Sequence, residues 1–184
     1  MIYIKDIIED KDTLLKLSKQ ASIDSYNNFH DFEKRIPDYL NYHVVEKDGE
    51  PIAMAGMFKS KFWPSDYIRV LDRCYYFKKA RSSTLSFYNE KELKASASNY
   101  LLPYHLRIAI SKHLKPFFSI AGIKRRPAMI RMIDIWNQKN DIKFEVLPDM
   151  YFTCNHKLED NTNEACWQNI AVLKDMISFD LPKR

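Results

Sequence analysis

The chain has 184 residues, of which 46% are hydrophobic and 14% aromatic, so it can bury the core of about one domain, which excludes a disordered chain. Lys and Arg number 29 against 24 Asp and Glu, a net charge of +5. This excess weakly favours anionic partners, although lysine-rich coding in an AT-rich genome explains it equally well. The chain contains only three glycines, Gly49, Gly56 and Gly122, so we do not expect a phosphate loop built from several neighbouring glycines.

The sequence predicts a cytoplasmic protein that holds no metal and does not enter a membrane. Cys74, Cys154 and Cys166 form no CxxC pair, and an odd number of cysteines favours buried thiols over a disulfide framework. The five histidines share no ligand spacing with one another or with the cysteines, so a zinc site is not expected. No apolar run reaches the roughly 18–20 residues of a membrane span. The first residues, MIYIKDIIEDKD, turn acidic too early for a signal peptide.

The first elements in chain order are a strand and two helices. Residues 1–8 alternate and are rich in isoleucine, which predicts a strand. Asp10 or Asp12 can cap a helix that follows. A second, short helix is predicted over 30–40, where Pro37 weakens it.

A hairpin and a third strand come next. The segment YHVVEKDGEPIAMAGMF (42–58) contains Asp-Gly between two apolar runs, which is the strongest short-range signal of a β-hairpin. Residues 67–77 predict a further antiparallel strand. Strict alternation would place its residues on two faces, one with Ile68, Val70, Asp72, Cys74 and Tyr76, the other with Arg69, Leu71, Arg73, Tyr75 and Phe77.

The middle of the chain carries positive charge and then returns to apolar elements. The basic segment over 78–98 is predicted to be a phosphate-facing loop or an insertion. Residues 99–114 (NYLLPYHLRIAISKHL) predict a helix in which Pro103 is tolerated only in the first turn. Residues 116–122 (PFFSIAG) predict a short buried strand.

The last elements are a helix and one or two strands. Pro127 opens a predicted helix, PAMIRMIDIWNQ, whose apolar stripe would be Ile130, Ile133 and Trp136. Residues 142–154 predict a strand broken by Pro148. The segment ACWQNIAVL is a last strand or a last helix. The order β-α-α-β-β-β-α-β-α-β-(β) is typical of an α+β protein with a central meander.

From its first strand to about residue 175, the chain resembles the Gcn5-related N-acetyltransferase (GNAT) family. The hairpin is similar to the family's second and third strands, and RVLDRCYYFKKAR (69–81) is similar to the fourth strand with the loop that grips coenzyme A. LLPYHLRIAISKHL followed by PFFSIAG is similar to the third helix and fifth strand. An Arg-containing fourth strand, an "LP" helix and a late "CWQ" make the chain most similar to divergent GNAT-like proteins of phages.

The resemblance implies one GNAT-like domain over 1–184, with a central mixed, mostly antiparallel sheet flanked by helices. It implies an acyl-CoA-dependent N-acyltransferase that takes acetyl-CoA as co-substrate and a small-molecule amine or a protein lysine as acceptor. In this family a bulge parts the fourth and fifth strands, and the pantetheine arm adds to the sheet like a strand. The pyrophosphate lies at the start of the third helix.

The residues that the resemblance assigns to coenzyme binding follow the fourth strand. Backbone N–H groups near Tyr75 and Tyr76 would polarise the thioester carbonyl, and the Ser119 hydroxyl would contact pantetheine. A small buried serine bonded to backbone is the alternative for Ser119. The phosphate contacts would come from Lys78, Lys79, Arg81, Ser82 and Ser83. The chain departs from the family here, because Ser82-Ser83-Thr84-Leu85 stand where the family has glycine.

Asp72 and Tyr151 are the candidate catalytic residues. A charge inside a central strand such as that of Asp72 must be paired or line a cavity, so Asp72 is either a base that orients and deprotonates the amine or half of an ion pair between strands. Tyr151 would be the acid that protonates the departing thiolate, and its alternative is a core or surface tyrosine.

Two other kinds of function stay open. A catalytically degenerate GNAT domain, phage-encoded and directed at a host protein or nucleic acid, would explain the missing glycines. Direct nucleic-acid binding fits the net charge, but the sequence has no helix-turn-helix or aromatic-basic motif. A homodimer formed through sheet strands is compatible with each of these functions.

Overall fold

The computed structural model describes residues 1–26, 32–77, 95, 97–153, 166–176 and 178–184. Its strands are β1 (Ile2–Asp6), β2 (Tyr39–Lys47), β3 (Glu50–Phe58), β4 (Tyr67–Tyr76), β5 (Lys115–Ala121), β6 (Phe144–Phe152) and β7 (Trp167–Leu173). The helices are α1 (Lys11–Tyr26), α2 (Leu102–Ser111) and α3 (Arg126–Lys139), with shorter 3₁₀ and π segments at Glu33–Asp38, Ile123–Arg125 and Ala97–Leu101.

The strands form a mixed sheet in the order β1-β2-β3-β4-β5-β7-β6. The pairs β1/β2, β2/β3, β5/β7 and β6/β7 are antiparallel, and β4/β5 is parallel. The predicted α+β class, with a mixed and mostly antiparallel sheet flanked by helices, is confirmed. None of the described helices combines the length and the apolarity that crossing a membrane requires.

The described residues group into two compact units. The first contains 1–59 and 70–111, and the second contains 60–69 and 112–184. The single domain over 1–184 stays a prediction.

In the first unit, α1 begins as the sequence indicates. The Asp10 carboxylate accepts a hydrogen bond from Thr13 N at 3.0 Å, which is a side-chain N-cap. The bonds from Thr13 lower the pKa of Asp10. Leu14 and Ala21 lie on the fully buried face of the helix. The second predicted helix, over 30–40, is only the 3₁₀ turn Glu33–Asp38, because Pro37 removes an N–H donor and β2 already begins at Tyr39.

The β2–β3 hairpin turns at Asp48 and Gly49. Their φ angles are 51° and 88°, the pair of positive values that a two-residue type I′ turn requires. Lys47 faces Glu50 across the turn. The hairpin contributes Val45, Ile52, Ala53 and Ala55 to a core cluster that also contains Leu101.

In the second unit, β5 and β6 flank β7, so the part of the segment ACWQNIAVL from Trp167 to Leu173 forms a strand. The β6/β7 register shifts between Val146 and Met150, around Pro148, which cannot donate to a ladder. The predicted stripe of α3 is wrong at Ile130, which is 40% exposed, while Met129 and Ile133 are buried.

The cysteine prediction is wrong at one position. Cys166 is disulfide-bonded. Cys74 forms no disulfide. Burial raises the pKa of the Cys74 thiol to about 12, so this thiol stays protonated at neutral pH.

Candidate functional site

The centre of β4 departs from regular strand geometry. Leu71 and Arg73 have φ angles of 54° and 46°, in the left-handed region that costs a non-glycine residue about 1–2 kcal/mol. Leu71, Cys74 and Tyr76 all pack against the same core cluster. The predicted face of Leu71, opposite that of Cys74 and Tyr76, is therefore wrong, because the distortion shifts the alternation by one residue. A bulge in this strand is what the resemblance implied.

Three donors from the segment before and within β2 hold one side of this bulge. The Asp72 carboxylate, only 8% exposed, accepts a bond from Arg35 Nη2 at 2.8 Å and a second bond from the Tyr39 hydroxyl. The Tyr42 hydroxyl donates to the Arg73 carbonyl at 2.6 Å. These bonds explain why residues without any preference for positive φ adopt it here.

The surroundings of Asp72 shift the pKa values of Arg35 and Tyr39, the two side chains that donate to it. Burial is the largest single effect on Arg35 and opposes its charge, but Asp72 and Tyr39 together outweigh it and raise the pKa of Arg35. Burial, followed by the Asp72 carboxylate, raises the pKa of Tyr39 well above its ordinary value. Asp72 thus forms an ion pair, which was one of the two alternatives predicted for it. Its partner is Arg35, which belongs to the 3₁₀ turn and not to a neighbouring strand. Both bonds go to Oδ2, so the carboxylate is held within the fold. Its catalytic role stays a prediction.

Two buried histidines hold the other side of the bulge. Leu71 N donates to His105 Nδ1 at 3.3 Å, and His105 Nε2 lies 3.0 Å from His43 Nδ1. Because Leu71 N can only donate, His105 Nδ1 is the acceptor, and its Nε2–H points to His43. The remaining nitrogen, His43 Nε2, lies 4.0 Å from Asp6 Oδ2. Sequence spacing had treated both histidines as isolated.

Acidification is expected to destabilise the chain through these histidines. Burial lowers the pKa of His43 and, together with His43, lowers that of His105 further. Both groups therefore bind protons less readily when folded than when unfolded. Their stabilising contribution is present above the ordinary histidine pKa of about 6.5 and is lost as the pH falls below it. We expect the unfolding temperature to fall between pH 7.5 and pH 5.

The pH series needs two variants beside the unchanged chain. His105→Gln keeps a donor and an acceptor but cannot titrate, so part of the pH dependence should disappear. His113→Asn is the matched control, because His113 is exposed. Equal slopes for His105→Gln and His113→Asn would show that the buried pair does not set the pH response.

The backbone of β4 beyond the bulge is oriented by its neighbour β3. Phe77 N donates to Ile52 O at 3.0 Å. Because successive N–H groups of a strand point to opposite edges, the N–H of Tyr76 points away from β3. The parallel ladder between β4 and β5 contains three pairs, from Tyr67↔Lys115 to Arg69↔Phe117, and β4 itself runs on to Tyr76.

In the second unit, Ser119 belongs to a polar cluster. Its hydroxyl lies within bonding distance of Gln168 Oε1 and, at 3.4 Å, of Arg69 Nη1. Arg69 also contacts Thr153 Oγ1 at 3.3 Å and lies 5.3 Å from the ring centroid of Trp63. Ser119 is thus bonded to side chains, and not to backbone as the alternative for it supposed. Arg69 is only 6% exposed. Like Asp72, it is a charged residue in an apolar strand, but it was not among the predicted site residues.

Tyr151 also lies in the second unit, where it is buried. Its ring meets that of Phe179 edge-on, with centroids 4.8 Å apart. Burial raises the pKa of Tyr151, although Lys183 opposes the shift. The phenol therefore stays protonated at neutral pH, as a proton donor must. The other candidate catalytic residue, Asp72, belongs to the first unit.

The remaining predicted site residues divide into two groups. Tyr75 is buried and Tyr76 is half-buried in the first unit. The predicted phosphate contacts lie outside the described residues: Lys78, Lys79, Arg81, Ser82 and Ser83. Within the described ranges, no three His, Cys, Asp or Glu side chains come together as metal ligands do.

Comparison with known proteins identifies the fold. No family model matches the chain, and no curated protein matches its sequence. The ribosomal-protein-S18-alanine N-acetyltransferase from Escherichia coli is 12% identical with a TM-score of 0.55, over 99% of both chains. A GNAT-family acetyltransferase from Streptococcus pneumoniae is 10% identical with a TM-score of 0.55, over 94% of this chain and 99% of that one. A probable acetyltransferase from Staphylococcus epidermidis is 13% identical with a TM-score of 0.54, over 94% and 98%. At such identities the likeness concerns the fold alone, and with the strand order it shows that this chain has the GNAT fold.

Proposed function

We propose that the chain is an acyl-CoA-dependent N-acyltransferase that uses acetyl-CoA. The observation that carries the proposal is the bulge at Leu71 and Arg73, because the resemblance assigns the pantetheine arm to the strand edge beyond such a bulge. A strand edge with outward amides is what an extended pantetheine arm needs for pairing. The acceptor is the amine of a small molecule or of a protein lysine.

The proposed reaction joins an amine to a thioester carbonyl. The amine nitrogen loses its proton and attacks the carbonyl carbon, the carbon–sulfur bond breaks, and the thiolate leaves with a proton. In this reading the N–H near Tyr75 and Tyr76 polarises the carbonyl oxygen. The protonated Tyr151 phenol supplies the proton to sulfur, and Ser119 contacts the arm. Asp72 deprotonates or orients the amine.

The chain's residues fit acetyl-CoA in part. In this proposal β4 would supply backbone donors to the pantetheine arm, and Arg81 with Lys78 and Lys79 would supply the cations that a pyrophosphate needs. Serine hydroxyls stand in place of the family's glycines, so the phosphates would be bound by side chains and not by a tight backbone nest.

Calorimetric titration with acetyl-CoA tests the proposal directly. We expect a dissociation constant in the micromolar range and a loss of at least about tenfold in Arg81→Ala, because a charged hydrogen bond to phosphate is removed. Arg125→Ala is the control, since this exposed arginine belongs to the second unit and to no predicted phosphate contact. Desulfo-CoA should bind similarly. Absence of binding to either coenzyme would overturn the proposal.

A catalytically degenerate module is the second candidate. The stretch Ser82-Ser83-Thr84-Leu85 after Arg81 favours it, because it lacks the glycines that let backbone approach phosphate closely. Such a module, phage-encoded, would act on a host protein or on nucleic acid. Steeply salt-dependent binding of an oligonucleotide without coenzyme binding would indicate nucleic acid, and absence of both would indicate a protein partner.

A further inference from the structure

The outer edge of β6 is covered by a short segment of the same unit, residues 178–184, which we call the strap. Strand β6 is the last of the sheet and pairs with β7 on its inner edge. On its other edge, Phe152 N donates to Pro182 O at 2.8 Å, and Tyr151 is bridged antiparallel to Lys183. The strap thus adds to β6 as a short extra strand.

An aromatic ring anchors the strap. The ring of Phe179 stacks on that of Tyr67, with centroids 5.3 Å apart and planes at 14°. It meets Phe117 and Tyr151 edge-on, with centroids at 5.2 and 4.8 Å. The Tyr67 hydroxyl binds the backbone on both sides of Phe179. It donates to the carbonyl of the preceding residue at 3.1 Å and accepts a bond from the N–H of the following one at 2.9 Å.

The strap covers Tyr151, which is the proton donor to sulfur in the proposed reaction. Tyr151 is only 3% exposed, and both the Phe179 ring and the Lys183 side chain lie against it. The Asp149 carboxylate, 3.3 Å from Lys183 Nζ, and to a lesser degree Tyr151 raise the pKa of Lys183, so an ammonium group stays beside the phenol. A proton donor must come within hydrogen-bond reach of the atom that it protonates. The leaving sulfur cannot reach this phenol while the strap is in place.

The contacts of the strap are those of a segment that opens before its unit unfolds. Five of its seven residues are exposed, and Leu181 is its one buried residue. The inner strand β7 differs, because its residues Ile170 and Ala171 are fully buried. Segments with few buried apolar contacts open at a much lower free energy than core strands do. The strap can therefore leave β6 while β7 stays paired.

We propose that the strap is an autoinhibitory segment, which closes over Tyr151 at rest and leaves β6 before acyl transfer. The Phe179 ring anchors the closed position, and the Tyr67 hydroxyl stabilises it. This inference rests on the proposed function for the role of Tyr151. The opening of the strap does not depend on that role and is measured without coenzyme.

Amide hydrogen exchange of the full chain, followed by NMR, measures the opening. The N–H groups of Phe152 and Arg184 bond across the contact between strap and β6, so one opening event exposes both. We expect similar protection factors for these two amides, at least about tenfold lower than those of the β7 amides. Equal protection of the two amides and of β7 would show that the strap opens only when the unit unfolds, and it would overturn the inference.

Tyr67→Phe loosens the strap with little other change, because it removes the hydroxyl and keeps the stacked ring. We expect the Phe152 amide to exchange about tenfold faster, since two hydrogen bonds are lost, while the β7 amides exchange as before. Phe179→Ala should accelerate the exchange further. Phe62→Ala is the matched control, because Phe62 is an exposed phenylalanine of the same unit and belongs to none of the contacts described for the strap. Unchanged exchange in both Tyr67→Phe and Phe179→Ala would contradict the anchoring role of these rings.

Acetyl transfer from acetyl-CoA to polylysine, followed by release of the coenzyme thiol, tests the inhibition. We expect Tyr67→Phe to transfer at least about twofold faster than the unchanged chain, because the open form is more populated, and to bind acetyl-CoA equally well. A segment that only stabilises the fold would give slower or equal transfer when it is loosened. If acetyl-CoA binds and Tyr67→Phe brings no acceleration, the inference falls and the proposed function stands. If neither chain binds acetyl-CoA, the proposed function falls, and the inhibitory role of the strap falls with it, whatever the exchange rates show.

Discussion

Replacing Gly56 with alanine is expected to lower the free energy of unfolding by on the order of 3 kcal/mol. A Cβ at this position would lie 2.6 Å from Tyr42 Cδ2 and closer still to the ring of Tyr39. Both rings are buried, and their centroids pack edge-on at 5.0 Å. Neither ring can move aside, because the Tyr39 hydroxyl is bonded to Asp72 and the Tyr42 hydroxyl to the Arg73 carbonyl.

Urea denaturation of Gly56→Ala and of a matched control measures the effect. Gly49→Ala also adds one methyl group to a glycine of the hairpin, but nothing lies within 4 Å of the added Cβ, and only the positive φ of 88° opposes it. We expect about 1 kcal/mol for Gly49→Ala. Similar losses in the two variants would contradict the close approach of the rings to Gly56. Because the same tyrosines hold the bulge, Gly56→Ala should also weaken acetyl-CoA binding, which Gly49→Ala should not.

The hairpin is the element that local chemistry determines most fully. Asp48 and Gly49 are residues that tolerate positive φ, and the apolar runs on either side fix the pairing of β2 with β3. The same holds for α1, whose cap at Asp10 is a local hydrogen bond. Such signals lie within a few residues of one another, so the sequence alone reveals them.

The bulge of β4 has no local signal of this kind. Leu71 and Arg73 have no preference for the left-handed region, and the sequence pattern predicts a regular strand. The distortion is imposed from outside, by Tyr42 from β2 and by His105 from α2. The resemblance implied a bulge, but only the contacts locate it and correct the face of Leu71.

The sequence likewise does not indicate which side chains pair with the buried polar groups. A charge in an apolar strand signals that Asp72 needs a partner, yet nothing in the sequence selects Arg35 from the 3₁₀ turn. His43 and His105 lie on different elements and meet only in the folded chain. Gly56 looked like an ordinary strand residue, because its requirement comes from two aromatic rings and not from its own backbone angles.

Replacing Asp72 with asparagine is expected to destabilise the chain by about 2–3 kcal/mol. Removing one partner of a buried ion pair costs about 3–5 kcal/mol, and the loss is smaller here because Arg35 is 25% exposed and can be hydrated. The Tyr39 hydroxyl can still donate to the asparagine oxygen. Thermal and urea denaturation of Asp72→Asn, of Arg35→Gln and of the double variant measure the coupling between the two side chains. Additive losses would show that the ion pair does not stabilise the fold.

Acetyl-CoA titration of the same variants separates the two roles of Asp72. If Asp72 positions the bulge through Arg35 and Tyr39, both single variants move the backbone that precedes Tyr76, and both should weaken coenzyme binding to a similar extent. If Asp72 is the base, Asp72→Asn should bind acetyl-CoA as the unchanged chain does and lose only turnover, because a base contacts the amine and not the coenzyme. The bonds from Arg35 and Tyr39 hold the carboxylate within the fold. We therefore expect the first result, with Arg35→Gln reproducing the binding defect of Asp72→Asn; unchanged affinity in both variants would exclude a positioning role.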